Sequence, residues 1–209
     1  IYNKVNKPTK AFIKLKSLDK RKVIVKVGVS TVSEENAREN LIKEASSWDF
    51  NSYVSSAQKE WEQELSKIEV QTNNTTHKKI FYTSLYHTMI APNLISDING
   101  QYRGTDLAVH QSNKPIYTVF SLWDTFRSAH PLFNIIQRDK TTSFLNTFLK
   151  QYNDGGQLPI WELCANYTGC MIGYHVVSVI LDGYVKGIKS PHYDDLFKAC
   201  LLYTSDAAD

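Results

Sequence analysis

The sequence predicts a mainly α-helical fold with a β portion at its N-terminal end. Residues up to Ser30 alternate apolar and polar positions, the spacing turns helical at Ser33, and apolar stripes then recur as far as Gly187 with glycine-bearing loops between them. The stretch 117–188 also gathers Trp, Asp, Arg, His and Glu beside glycine turns. Amphipathic packing has no need of that mixture, whereas a carbohydrate pocket does.

In chain order, residues 11–16 and 22–30 read as two half-buried antiparallel strands joined by a short turn. Two strands cannot bury a face alone, so residues 1–33 are expected to be the end of a larger β domain. Ser33 is the expected N-cap of the first helix, with Glu34 and Glu35 at its positive end and Ala37, Leu41 and Ala45 on one face. A second helix from about Phe50 puts Val54, Ala57, Trp61, Leu65 and Ile68 on one stripe and leaves Glu60, Glu62 and Glu64 mostly on a solvated face. Residues 34–75 thus read as linker helices.

From Thr76 onward Phe81, Leu85 and Met89 recur four apart until Pro92. Within 96–104, Asp97 and Asn99-Gly100 bear a slight likeness to a calcium loop, but the later positions of an EF-hand are missing, and Asn99-Gly100 reads as a hairpin turn. Three further helices are expected. The first lies within 120–138. The second covers 141–152, with Phe144, Leu145, Phe148, Leu149 and Tyr152 as its stripe. The third covers 169–186, with Met171, Ile172, Val176, Val179, Ile180 and Tyr184, and Gly187 stops it. A loop over 153–159 with adjacent glycines separates the last two.

Composition removes several function classes. A formal net charge of +3 gives no support for nucleic acid as a partner. The charge is uneven, with nine Lys/Arg and one acid up to Ser30, which fits lysines on the wet face of strands and hints at two structural units. No apolar run approaches the roughly 20 residues of a transmembrane helix. Cys164 and Cys170 match no zinc spacing and define no disulfide framework. A His-Glu-x-x-His pair, a phosphate-cradling glycine fingerprint and a nucleophile elbow are all missing from the sequence. The chain begins at Ile1 without a charged-then-apolar leader, so a signal peptide is expected to have been removed or never included. The last ten residues, 200–209, resemble the in-frame translation of a sequencing adapter, which would end native sequence near Ala199.

Two segments carry the candidate chemistry, Ser121-Leu-Trp-Asp-Thr-Phe-Arg-Ser-Ala-His-Pro131 and Gly155-Gly-Gln-Leu-Pro-Ile-Trp-Glu162. The face of Trp123 can stack on the C–H side of a pyranose, while the Asp124 carboxylate can accept two charge-assisted hydrogen bonds from its hydroxyls. At helical spacing Trp123, Arg127 and His130 share a face, and Asp124 with Arg127 can form an intrahelical ion pair. Glu162, after Trp161 where the loop is expected to enter a helix, is the carboxylate best placed for acid or base work, and an inverting hydrolysis would need a partner such as Asp124 about 6.5–9.5 Å away. His175 reads as a core histidine.

The ordered series of blocks 81–87, 96–104, 121–131, 155–162, 168–175 and 182–187 resembles glycoside hydrolase family 92 over roughly residues 23–189. Members are calcium-dependent, inverting, exo-acting α-mannosidases, mostly bacterial. The resemblance implies the end of a β-sandwich over 1–33, linker helices over 34–75 and the first part of an (α/α)6 barrel over 76–199. It further implies that Trp123 and Asp124 hold the terminal mannose, with Arg127, Trp161 and Glu162 as further sugar contacts near the barrel mouth. The general acid, the base-side carboxylates and the calcium ligands are expected downstream of this segment, so no catalytic or metal residue is assigned within it. The implied partner is a glycan ending in α-mannose, and the implied location is periplasmic, cell-surface or secreted. Tyr167 stands where relatives carry an acid, which puts local specificity in question. Two alternatives stay open: a non-catalytic carbohydrate-binding surface protein, or another (α/α)6-barrel glycosidase.

Overall fold

The computed structural model of the protein describes residues 23–206 together with Phe12 and Lys14. Close to half of the chain is helical, and its strands are short and antiparallel. Three helices come first, each started by a side chain that supplies the acceptor its first turn lacks. Ser33 accepts from Asn36 N–H at the start of α1 (Glu34–Glu44), Asp49 from Asn51 at α2 (Phe50–Leu65), and Asn74 from His77 at α3 (Thr75–Thr88).

Residues 23–30 form no strand pair among the described residues. The segment 11–16 that was expected to pair with them lies outside the described residues apart from Phe12 and Lys14. The alternation is nevertheless real, with an unexpected sense. Val25, Val27 and Val29 point outward, each more than two-thirds exposed. Lys26, Gly28 and Ser30 face α1 and what lies beneath it. Lys26 Nζ donates to the Ala45 carbonyl and sits 4.1 Å over the Trp48 ring. Gly28 passes so close to α1 that a Cβ would lie 2.2 Å from the Ala37 carbonyl oxygen.

The contact between this segment, α1 and the remaining chain is a polar hub on Asp97. This carboxylate is buried and accepts from Ser30 Oγ at 2.7 Å, Asn36 Nδ2 at 2.8 Å and Asn40 Nδ2 at 2.7 Å. Asn40 Oδ1 returns a bond to Ile98 N–H, and Asn36 Nδ2 also reaches Gln101 Oε1. The 96–104 block therefore uses its acid for docking. Its Asn99-Gly100 pair closes a tight turn in which Gly100, at φ +84, donates to the Asp97 carbonyl.

Four small strands follow: β1 (Asn93–Leu94), β2 (Gln101–Arg103), β3 (Val109–Gln111) and β4 (Tyr117–Thr118). β1 pairs with β4, and β2 with β3. The β2–β3 hairpin turns at 104–108 with Leu107 at φ +65, so the hairpin turn proper lies after the Asn-Gly pair. β5 (Phe120–Ser121) leads into α4 (Leu122–Thr125), then α5 (Ala129–Ile136) and α6 (Arg138–Gly155). The single helix expected within 120–138 is thus two helices. Pro131 explains the break: it has no N–H and its ring crowds the carbonyl four residues back, so it is accommodated in the first turn of a new helix. α6 ends as its glycines dictate, with Gly156 in the left-handed cap at φ +82.

β6 (Trp161–Leu163) and β7 (Asn166–Tyr167) form a hairpin, and β5, β6 and β7 make one sheet in that order. The last helices are α7 (Val176–Val185) and α8 (Tyr193–Asp206). α7 starts seven residues later than expected, because Gly169, Met171 and Gly173 all take positive φ, and Met171 and Ile172 are exposed loop residues. Its end is as expected: Ile188 N–H reaches back to the Gly183 carbonyl around Gly187. α8 was not anticipated, although Leu196, Ala199 and Cys200 lie at helical spacing and pack on the core. It continues into the segment read as adapter-like. Glu64, expected on a solvated face, is also corrected: it bonds Lys67 and Gln137 and lies 3.6 Å from Lys140, tying α2 to α6. Partial burial alone would raise its pKa, but these hydrogen bonds and charges outweigh that and lower it.

The core lies where α5, α6, α7 and α8 meet beneath β5. Phe120, Leu122, Phe133, Phe144, Leu145, Phe148, Val179, Ile180 and Leu196 fill it, and each such buried side chain contributes roughly 2 kcal/mol. His130 sits inside this shell, ringed by Phe120, Phe133, Phe144 and Phe148 at centroid distances of 5.7–6.5 Å. Desolvation lowers its pKa to about 4.

Candidate functional site

The register of β5 against β6 organises the candidate residues. Phe120 pairs with Glu162 and Ser121 with Trp161. Partners in a pair point to the same face of the sheet, and the burial follows: Phe120 and Glu162 are 1% and 2% exposed, while Ser121 and Trp161 are partly open. α4 starts directly after Ser121 and carries Trp123 and Asp124. Asp124 is exposed, and Ser121 Oγ donates to its Oδ2. The outer face of this pair thus carries Ser121 and Trp161, and Ser121 is linked in turn to Asp124.

Trp123 is held from behind. The His175 ring meets it edge to face at 5.3 Å and stacks flat on Phe126 at 4.1 Å. Arg127 leaves the predicted face because α4 has ended. Its guanidinium lies 5.0 Å from the Phe126 centroid, and among the described residues it forms no ion pair with Asp124. His130 belongs to the core, so the predicted face of Trp123, Arg127 and His130 does not form.

Glu162 is separated from this group. It is buried on the inner face within a strand, not at a loop-to-helix junction. Thr118 Oγ1 donates to it, at 2.8 Å from Oε1 and 3.0 Å from Oε2, and the backbone N–H groups of Ala165 and Val119 donate at 2.7 and 3.1 Å. Burial raises its pKa, and these bonds with one from Gln151 offset part of the rise. It borders a cavity of about 70 Å³ with Gln151, Leu158, Pro159 and Tyr167, a space large enough for water.

A second arrangement, which sequence reasoning missed, anchors the glycine loop. Tyr102 OH donates to Asp154 Oδ2 at 2.9 Å, and Thr105 Oγ1 donates to the Gln151 carbonyl at 3.1 Å. His110 lies between Asp106, 3.0 Å from Nε2, and Asp154, 3.8 Å from Nδ1. Gly104 and Gly155 permit the close approach, since a Cβ at Gly155 would lie 2.3 Å from Thr105 Oγ1. The β2–β3 hairpin therefore pins the C-terminal end of α6, from which the loop to Trp161 departs.

Among the described residues no three His, Cys, Asp or Glu side chains come together to hold a metal ion, and the Asp97 carboxylate is taken up by three side-chain donors. No described helix is long and apolar enough to cross a membrane.

The description of the glycosyl hydrolase family 92 catalytic domain matches residues 36–207. The chain belongs to glycosyl hydrolase family 92. It is similar to the family 92 α-mannosidase BT3965 from Bacteroides thetaiotaomicron, at 40% identity and a TM-score of 0.77, over 81% of this chain and 23% of that one. The structure of BT3965 in complex with mannoimidazole superposes with a TM-score of 0.78 at the same identity, over 81% of this chain and 22% of that one. The family 92 inverting mannosidase BT2199 of the same organism is 30% identical, with a TM-score of 0.72, over 77% of this chain and 22% of that one. The chain thus spans less than a quarter of the length of these family 92 structures. No curated protein matches it.

Proposed function

We propose that this chain is one wall of the sugar site of an inverting, exo-acting α-mannosidase that removes terminal mannose from glycans. The observation that carries the proposal is the 40% identity, over 81% of the chain, with an α-mannosidase whose structure is also known with mannoimidazole. The outer-face group supports it chemically. Trp123 and Trp161 offer flat apolar faces for a pyranose, the Asp124 carboxylate accepts from its hydroxyls, and the exposed Arg127 beside Phe126 is a further hydrogen-bond donor. Hydrolysis adds water at the anomeric carbon while the leaving oxygen takes a proton, which needs an acid and a base about 6.5–9.5 Å apart. In this reading those two carboxylates, and the ligands of any calcium ion, belong to parts of the full-length enzyme outside this chain.

The same reading makes 76–199 the first part of an (α/α)6 barrel, 34–75 its linker and 1–33 the end of a β-sandwich. The outward row Val25, Val27 and Val29, and the open faces of Leu181, Tyr184 and Val185 on α7, support it as surfaces for further chain to cover. An exported enzyme, periplasmic, surface-bound or secreted, suits a glycan substrate. The test is to express the full reading frame and assay aryl α-glycosides of several sugars by proton NMR. The account expects release from the α-mannoside alone, with β-mannose as the first product. Turnover of other sugars alone, or α-mannose first, would sink it.

A further inference from the structure

We infer that Glu162 is a positioning residue whose carboxylate holds three left-handed backbone residues in place and thereby sets Trp161 and Asp124 toward the sugar. Val119, Cys164 and Ala165 have φ of +66, +49 and +65. L-residues avoid that region, and a β-branched one most of all. Cys164 and Ala165 form the two-residue β6–β7 turn, whose positions normally call for Asn and Gly. All three N–H groups are committed to one assembly. Val119 and Ala165 donate to Glu162, and Cys164 donates at 2.7 Å to Thr118 Oγ1, whose own proton goes to Glu162.

The unfavourable conformations lie where the chain must be redirected. Val119 is the single residue between β4, which pairs with β1, and β5, which pairs with β6. Turning there delivers Ser121, and with it Asp124, to the outer face. Glu162 also follows Trp161 directly, so fixing its side chain inward fixes Trp161 outward. The sugar-facing part of this inference rests on the mannosidase reading; the clamp itself does not.

The experiment is a mutant cycle with Glu162→Gln and Ala165→Gly. An amide offers one acceptor oxygen where two are needed, and glycine enters the left-handed region freely. In thermal unfolding of the full-length protein, Ala165→Gly alone should raise the melting temperature and should recover more than half of the loss caused by Glu162→Gln. Strict additivity, or a lower melting temperature for Ala165→Gly alone, overturns the clamp. The single-glycine result decides the matter even if Glu162→Gln does not fold. In the full-length protein, Glu162→Gln should weaken mannoimidazole binding tenfold or more, with most of that recovered in the double variant. An equal loss in both would make Glu162 a direct sugar contact and overturn the positioning role. If the unaltered full-length protein does not bind mannoimidazole, the mannose reading fails while the unfolding cycle still decides the clamp.

Discussion

Ser121 sits opposite Trp161 in the β5–β6 pair, and this register divides the loop's last two residues between opposite faces. Trp161 stands on the outer face, and Glu162 is drawn into the interior. The prediction for Trp161 follows. Trp161→Ala should weaken mannoimidazole binding by the full-length protein about tenfold, the equivalent of one lost stacking surface, with little change in unfolding. Calorimetry and a melting curve on the same sample separate the two effects.

Asp97 accepts from Ser30, Asn36 and Asn40 at once. Asp97→Ala leaves these donors without their partner and should cost roughly 3 kcal/mol. The loss should be local first. Hydrogen exchange should accelerate across α1 and residues 23–30 while amides of α6 stay protected; uniform protection in the variant would refute the hub.

His130 makes stability depend on pH. Its folded pKa of about 4 lies below its ordinary value of 6.5, so the unfolded chain binds a proton more readily. Stability is therefore fully present above about pH 6.5 and falls as the pH drops toward 4, by roughly 3 kcal/mol. Glu162, whose pKa is raised by burial, acts with the opposite sign, so the difference between the protein and His130→Phe isolates the effect. Denaturant unfolding at several pH values should show the slope between pH 6.5 and 4 flattening in the variant.

Much of this arrangement was legible in the sequence because it depends on local chemistry. Ser33 and Gly187 mark helix ends through caps that need only neighbouring residues, and the stripes of α3 and α6 follow from spacing alone, whereas Val54 and Ala57 of the stripe expected on α2 are exposed. The remainder depends on partners far along the chain. Asn36, which no apolar pattern selects, is the buried residue of α1 because Asp97 lies opposite it, 61 residues away. Pro131 was visible, yet Trp123, Arg127 and His130 were placed on one helix face that Pro131 interrupts. Glu162 is a carboxylate beside a Trp after a glycine loop, and only the strand register decides which of the two faces outward. The helical stripe drawn through Met171 and Ile172 failed for a related reason: glycines on either side turn that stretch into a loop whose apolar residues stay exposed.

The central claim is that Asp124, beside Trp123, grips the sugar. It is tested most directly by calorimetric titration of the full-length protein with mannoimidazole, unaltered and as Asp124→Ala. Losing charge-assisted hydrogen bonds to two hydroxyls should weaken binding about 100-fold, roughly 3 kcal/mol, with an unchanged melting curve. Affinity within twofold of the unaltered protein would contradict the account and leave Asp124 as a structural residue of α4.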